Sequence, residues 1–237
     1  MRSPRVPSRR DFVRAAGFAV GAASLGRSSS VAATRAAGDE PDAVLARLIA
    51  GNDRFVAGTP SLLTRRRPED FAKLAEGQTP QAVIVACADS RVAPELIFDQ
   101  GVGDLFVVRV AGNVVEGAGP VVKGSVEYAV AELGSRLILV LGHSACGAVK
   151  AAVAHVEKRD ELPGAIEGLV DLIRPAAREV AGKPGDTVEN AIRANVRLSV
   201  RRIKGLDPIL AKAVAAGELK VVGGVYDLAT GKVEILD

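Results

Sequence analysis

Two short segments hold the residues best suited to chemistry: Cys87-Ala88-Asp89-Ser90-Arg91 and Gly142-His143-Ser144-Ala145-Cys146-Gly147. Together they contain both cysteines of the chain and one of its two histidines. Two thiolates and an imidazole would give zinc three ligands and leave a fourth position open, which distinguishes a catalytic zinc from a structural one. Two plainer readings compete. The cysteines could form a disulfide, or they could be unrelated buried thiols.

The spacing His143-x-x-Cys146 lets two neighbouring turn residues face one ion. Cys146 would open a helix, where the dipole and free amides favour thiolate over thiol. Gly147 leaves the backbone bare, so a small ligand could approach that helix end. Asp89 and Arg91 stand two apart. On a surface such a pair is worth little, but beside a metal the carboxylate can accept a hydrogen bond or proton while Arg91 keeps it oriented and ionised. Alternatively, Asp89 takes the fourth metal position itself. His155 lies off the apolar stripe of its helix and reads as solvent-exposed. Gly101-Val102-Gly103 lacks the third glycine and the helix of a dinucleotide site and reads as a loop.

The elements around these segments follow from periodicity. Residues 82–86, 105–110 and 137–141 are short apolar runs of buried-strand type, and 219–225 is a fourth. Residues 232–236 return beside it as a hairpin around Ala229-Thr230-Gly231. Helical spacing marks 41–57, 122–133, the stretch after Cys146, 166–181 and 187–203, with a short helix at 69–75. Asp186 and Glu189 stand at capping-box spacing. Pro208 suits the first turn of a further short helix, which Gly217 closes. Alternating strands and helices imply a single α/β domain with a mostly parallel four- to five-stranded sheet flanked by helices. Ligands bind such sheets at the carboxyl ends of the strands, which is where both segments fall.

Composition agrees. With 48% hydrophobic residues, only 3% aromatics and no Trp, the core is aliphatic, as suits buried parallel strands. The formal charge of +3 does not describe the body of the protein. Residues 1–33 carry six arginines against Asp11, a net of +5; removing them leaves 25 basic and 27 acidic residues, or −2. The body therefore gives no electrostatic case for nucleic acid. Arg65-Arg66-Arg67 reads as a solvated loop. The leader has a basic start, an apolar stretch from Ala15 to Leu25 too short to span a bilayer, and small residues at Val31-Ala32-Ala33. Ser8-Arg9-Arg10-Asp11-Phe12-Val13-Arg14 resembles a twin-arginine export motif. Residues 1–36 are thus expected to be a cleaved signal and 37–237 the functional domain, exported and without a stable membrane anchor.

Cys87-x-Asp89-Ser90-Arg91 followed by His143-x-x-Cys146-Gly147, with Phe106-Val107-Val108-Arg109 between them, resembles the β-class carbonic anhydrases over nearly the whole body. The resemblance implies one zinc per chain on Cys87, His143 and Cys146, an Asp89–Arg91 dyad, and reversible hydration of carbon dioxide to bicarbonate and a proton. It further implies a small substrate pocket lined by Gln78, Phe106, Tyr128 and Gly147, and a homodimer or homotetramer. The bicarbonate-regulated subgroup has Trp where this chain has Ile84, and many relatives have Asn at Val110. Two rivals remain in view: a hydrolase using the same metal on carbon disulfide or carbonyl sulfide, and a non-catalytic exported module with a Cys87–Cys146 disulfide.

Overall fold

In a computed structural model, residues 40–61, 71, 72, 74–115, 120–156 and 162–236 are described. The leader and Arg65-Arg66-Arg67 lie outside them, as do residues 69, 70 and 73 of the short helix expected at 69–75, while Phe71, Ala72 and Leu74 are helical. Five strands form one sheet in the order β2-β1-β3-β4-β5: β1 is Ala82–Ala86, β2 Leu105–Arg109, β3 Leu137–His143, β4 Lys220–Tyr226 and β5 Val233–Leu236. The first four run parallel, and only β5 is antiparallel, against β4. The helices are α1 (Pro41–Val56), α2 (Pro94–Ile97), α3 (Pro120–Ala131), α4 (Gly147–Ala154), α5 (Ile166–Val180), α6 (Thr187–Lys204) and α7 (Leu210–Ala215).

Every residue of β1 and β3 is buried, which is why both read as continuous apolar runs with no alternation. Their side chains divide between two cores. Val83, Val85, Ile138 and Val140 pack beneath α3 to α6, while Ile84, Leu139 and Leu141 face Val44 and Leu48 of α1 and Ile97 of α2. The sheet is therefore the middle layer of three. Cys87 continues the parity of Val83 and Val85 and enters the first core.

The sequence expectations hold for the five-stranded sheet and its main helices, with two departures. β3 runs two residues beyond the expected end, so His143 is its last residue, paired with Tyr226, and not part of a turn. Parallel pairing with β4 draws the strand onward through Gly142. The helix expected to start at Pro208 begins at Leu210, because 207–209 form a turn around a cis Asp207–Pro208 bond. The helix expected at 166–181 forms, as α5, and runs on through Pro175; the apolar stripe Val170, Ile173, Ala177 keeps it on the core despite the missing donor.

Asn52 ties α1 to the far edge of the sheet. Its amide donates to the carbonyls of Ile97 and Gly231 at 3.1 and 2.9 Å, and its Oδ1 accepts from Val233 N–H at 2.8 Å. All three bonds close in a site where Asn52 is 2% exposed. Asn52→Leu keeps the volume but leaves three buried groups unpaired, so it should lower unfolding free energy by at least about 2 kcal/mol. Urea titration followed by circular dichroism checks this.

Candidate metal centre

Parallel pairing aligns Ala86 of β1 with Leu141 of β3, so Cys87, just past β1, and His143, at the tip of β3, leave adjacent strand ends. Cys146 follows three residues later at the N-cap of α4, with φ −61° and ψ 121°. The Cys87 Sγ, His143 and Cys146 Sγ ligand atoms all lie within 4.8 Å of one another, and all three residues are buried. Both cysteines are free thiols, which sets aside the disulfide reading.

The cluster fits zinc on two observations. His143 is fully buried, its Nδ1 lies 3.0 Å from the Ser144 carbonyl, and its Nε2 has no hydrogen-bond partner. A buried ring nitrogen is normally paired; here Nδ1–H is used for orientation, and Nε2 is left as a lone pair facing two sulfurs. The sulfurs also prefer a cation between them. A hydrogen bond from Cys146 pushes the Cys87 thiol down to about 4, and the same bond, with burial, pushes Cys146 up. The pair takes one negative charge readily and a second only with a compensating cation. Burial is the largest influence and opposes protonation of His143, but the thiolate character of Cys87, the Ser144 carbonyl and the Asp89 carboxylate together outweigh it and raise its pKa.

Asp89 lies beside the cluster and not within it. Its Oδ2 is 3.8 Å from His143 Nε2, and both carboxylate oxygens are engaged by Arg91, from Nε to Oδ1 at 2.9 Å and from Nη2 to Oδ2 at 2.8 Å. The Arg91 amide adds a third bond to Oδ1 at 3.0 Å. The structure thus shows the dyad arrangement, with the carboxylate turned to Arg91. Gly147 opens α4 with nothing within 4 Å of where a Cβ would stand.

The remaining expected pocket residues are not gathered at the cluster by this chain. Phe106 pairs with Val83, four residues before Cys87, which places it about 13 Å down the sheet at 3.3 Å per residue. Its ring meets Tyr128 at a centroid distance of 6.4 Å, and Tyr128 is 48% exposed. Gln78 sits in the exposed loop before β1. His155 is the C-cap residue of α4, at the opposite end from Cys146, and is half-buried there rather than solvent-exposed as expected.

Three supporting residues escaped the sequence reading. Arg109, at the end of β2, donates from Nε to the Cys87 carbonyl at 3.1 Å and from Nη2 to the Asp89 carbonyl at 2.5 Å, clamping the backbone that carries ligand and dyad. Gly112 donates its N–H to Cys87 Sγ at 3.3 Å. It has φ +69°, and a Cβ there would lie 2.6 Å from Ile173 Cδ1, so only glycine suits both the conformation and the space. Glu189 stands at capping-box spacing, but its carboxylate instead accepts from Ala145 N–H at 3.2 Å, supporting a residue with φ +56° between His143 and Cys146. Asp186 caps the helix alone, accepting from the Val188 and Glu189 amides.

Fold and site together define an α/β protein with a buried two-sulfur, one-nitrogen metal centre at the carboxyl edge of a parallel sheet. A family model described as carbonic anhydrase matches residues 82–233. The chain is 41% identical over 186 residues to a carbonic anhydrase of Mycolicibacterium smegmatis, covering 78% of this chain and 88% of that one. It is 40% identical over 197 residues to carbonic anhydrase 2 of Mycobacterium tuberculosis, covering 83% and 93%. Among solved structures, a tetrameric β-carbonic anhydrase from Sordaria macrospora superposes with a TM-score of 0.65 at 28% identity, over 72% of this chain and 87% of that one. The Coccomyxa β-carbonic anhydrase bound to acetazolamide gives 0.64 at 32% identity, over 70% and 76%. The chain belongs to the β-class carbonic anhydrase family, whose reaction is the zinc-dependent reversible hydration of carbon dioxide.

Arg91 holds the Asp89 carboxyl well below the usual carboxylate range, chiefly through the paired side-chain hydrogen bonds. A depressed folded-state pKa contributes stability above the unfolded value of about 4, and that contribution is lost as pH falls through the lower folded value. Arg91→Gln should therefore move the Asp89 titration upward, toward about 4. Carbon-13 NMR of the labelled carboxyl reads this directly; an unmoved titration would discard Arg91 as the cause.

Proposed function

We propose that this chain hydrates carbon dioxide at a zinc ion held by Cys87 Sγ, His143 Nε2 and Cys146 Sγ, with Asp89 and Arg91 as the dyad beside it. The observation that carries the reading is the buried, unpartnered Nε2 of His143, within 4.8 Å of two thiol sulfurs. Zinc in such a set supplies Lewis acidity that turns water into a nucleophile near neutral pH.

The chain's own residues do the rest. Asp89 Oδ2, held in place by Arg91, accepts a hydrogen bond from the incoming water and orients its lone pair toward the carbon. Its lowered pKa makes it a poor keeper of the proton, which leaves to solvent or buffer. Arg109 fixes the main chain of the dyad, and the open backbone at Gly147 admits the small linear substrate at the start of α4. Gln78, Phe106 and Tyr128 are proposed to line a pocket, but not in the chain that bears them. Exposed Tyr128 and Val121, the latter 73% exposed on the same helix, suit a second copy's surface, and the tetrameric Sordaria macrospora relatives support a homo-oligomer. No helix among the described residues is long and apolar enough to cross a membrane.

In the test, purified protein should contain one zinc per chain and two free thiols after denaturation, and should hydrate carbon dioxide with a rate rising into the alkaline range. The rise is expected because two thiolates offset the ion's charge and leave its water less acidic than the value of about 7 at three-histidine sites. Cys146→Ser should lose zinc and cut the rate by more than about a hundredfold, beyond the usual cost of an outer-shell change. A mutant with full activity, or a profile flat from about pH 6 to 9, would overturn the assignment.

The leader, residues 1–36, is proposed as a twin-arginine export signal on the strength of Arg9-Arg10 and the short apolar stretch behind them. Arg9→Lys with Arg10→Lys should trap a reporter fusion inside the cell; unchanged export would remove the assignment.

A further inference from the structure

The turn that meets Cys87 is held by α6, a helix that contributes no ligand. After β2, the chain enters a short 3-10 turn at Ala111–Asn113. Gly112 and Asn113 both have positive φ, at 69° and 46°, so the turn is not a conformation the backbone prefers unaided. Its two carbonyls are tethered from α6. Asn195 Nδ2 donates to the Gly112 carbonyl at 2.8 Å, and Ser199 Oγ, one helical turn on, donates to the Asn113 carbonyl at 3.2 Å. Both side chains are fully buried, in a face otherwise made of Ala191, Ile192, Val196 and Ile203.

Asn195 is a poor choice for stability alone. Its Oδ1 is buried and has no hydrogen-bond partner among the described residues, and an unpaired buried oxygen costs free energy that a leucine would not. Its one bond goes to the residue whose own N–H points at Cys87 Sγ. A bond from an amide to a thiolate stabilises the charged sulfur and fixes its direction, the role outer-shell partners play at metal sites.

We propose that Asn195, assisted by Ser199, is a positioning residue for the metal centre: by holding Gly112 it aims the Gly112 N–H at Cys87 and sets the strength of that zinc–thiolate bond. The inference rests on the zinc reading above. It assigns to α6 a function besides packing, one that the ligand motifs do not encode.

The experiment uses full-length protein loaded with zinc, and separately with cobalt(II), whose thiolate charge-transfer absorption reports the metal–sulfur bond. Asn195→Leu and Asn195→Ala should bind zinc about ten- to a hundredfold more weakly in chelator competition and shift the cobalt absorption. Ser199→Ala, a smaller change, should shift it in the same direction by less. Ile203→Ala, on the same buried face about two turns away, should lower the unfolding temperature and leave both metal readouts unchanged. If neither Asn195 variant folds, Ser199→Ala decides: an unmoved cobalt spectrum overturns the proposal. Folded Asn195 variants that keep zinc affinity within twofold, with an unaltered spectrum, overturn it as well. Wild type that shows no thiolate–cobalt absorption would instead refute the zinc reading itself, so the two failures are distinct.

Discussion

The parallel pairing of β1 with β3 is the constraint on which the rest depends. With Ala86 opposite Leu141, the thiol that follows one strand and the imidazole that ends the other arrive side by side. Burial of both strands makes that register hard to slip, since a one-residue shift would exchange the two core faces and move Val83 and Val85 from beneath α3 to α6 onto α1. Metal affinity in this protein is thus a property of sheet registry before it is a property of ligands.

Around that register the site is built in shells of decreasing legibility. The clustering of Cys87, His143 and Cys146 was legible because few residue types bind zinc and because strand ends in α/β sheets are where ligands lie, and the family resemblance chose zinc over a disulfide. β1 was readable to the residue, because continuous apolar runs between turn signals have few other uses. His143 reads from sequence as the end of a strand and part of the turn after it; pairing with Tyr226 of β4 keeps it in the strand. Pro208 carried a standard helix-start signal that the local turn does not use.

The supporting residues were hidden for a different reason. Arg109, Gly112 and Glu189 act through hydrogen bonds across the fold, and nothing in their own neighbourhoods announces the partner. Glu189 shows the difficulty well: its spacing from Asp186 has an adequate local explanation, yet its carboxylate goes to Ala145. Asn195 and Ser199 are polar residues on a buried helix face, and they gain meaning only when the Gly112 and Asn113 carbonyls are seen opposite them. The pocket residues Gln78, Phe106 and Tyr128 illustrate a further limit, since motif resemblance names positions without saying which copy of the chain they serve.

Val196, next to Asn195, rests over two glycines of the sheet. A Cβ at Gly142 would lie 2.5 Å from one of its methyls, and a Cβ at Gly223 2.7 Å from the other. The two missing side chains, on neighbouring strands, are what let α6 settle low enough for Glu189 and Asn195 to reach their loops. The helix therefore works as a lever resting on a two-glycine seat. One added methyl in the seat would raise both tethers together, so the distance between a helix and a sheet becomes the adjustment screw of a metal site to which the helix gives no ligand.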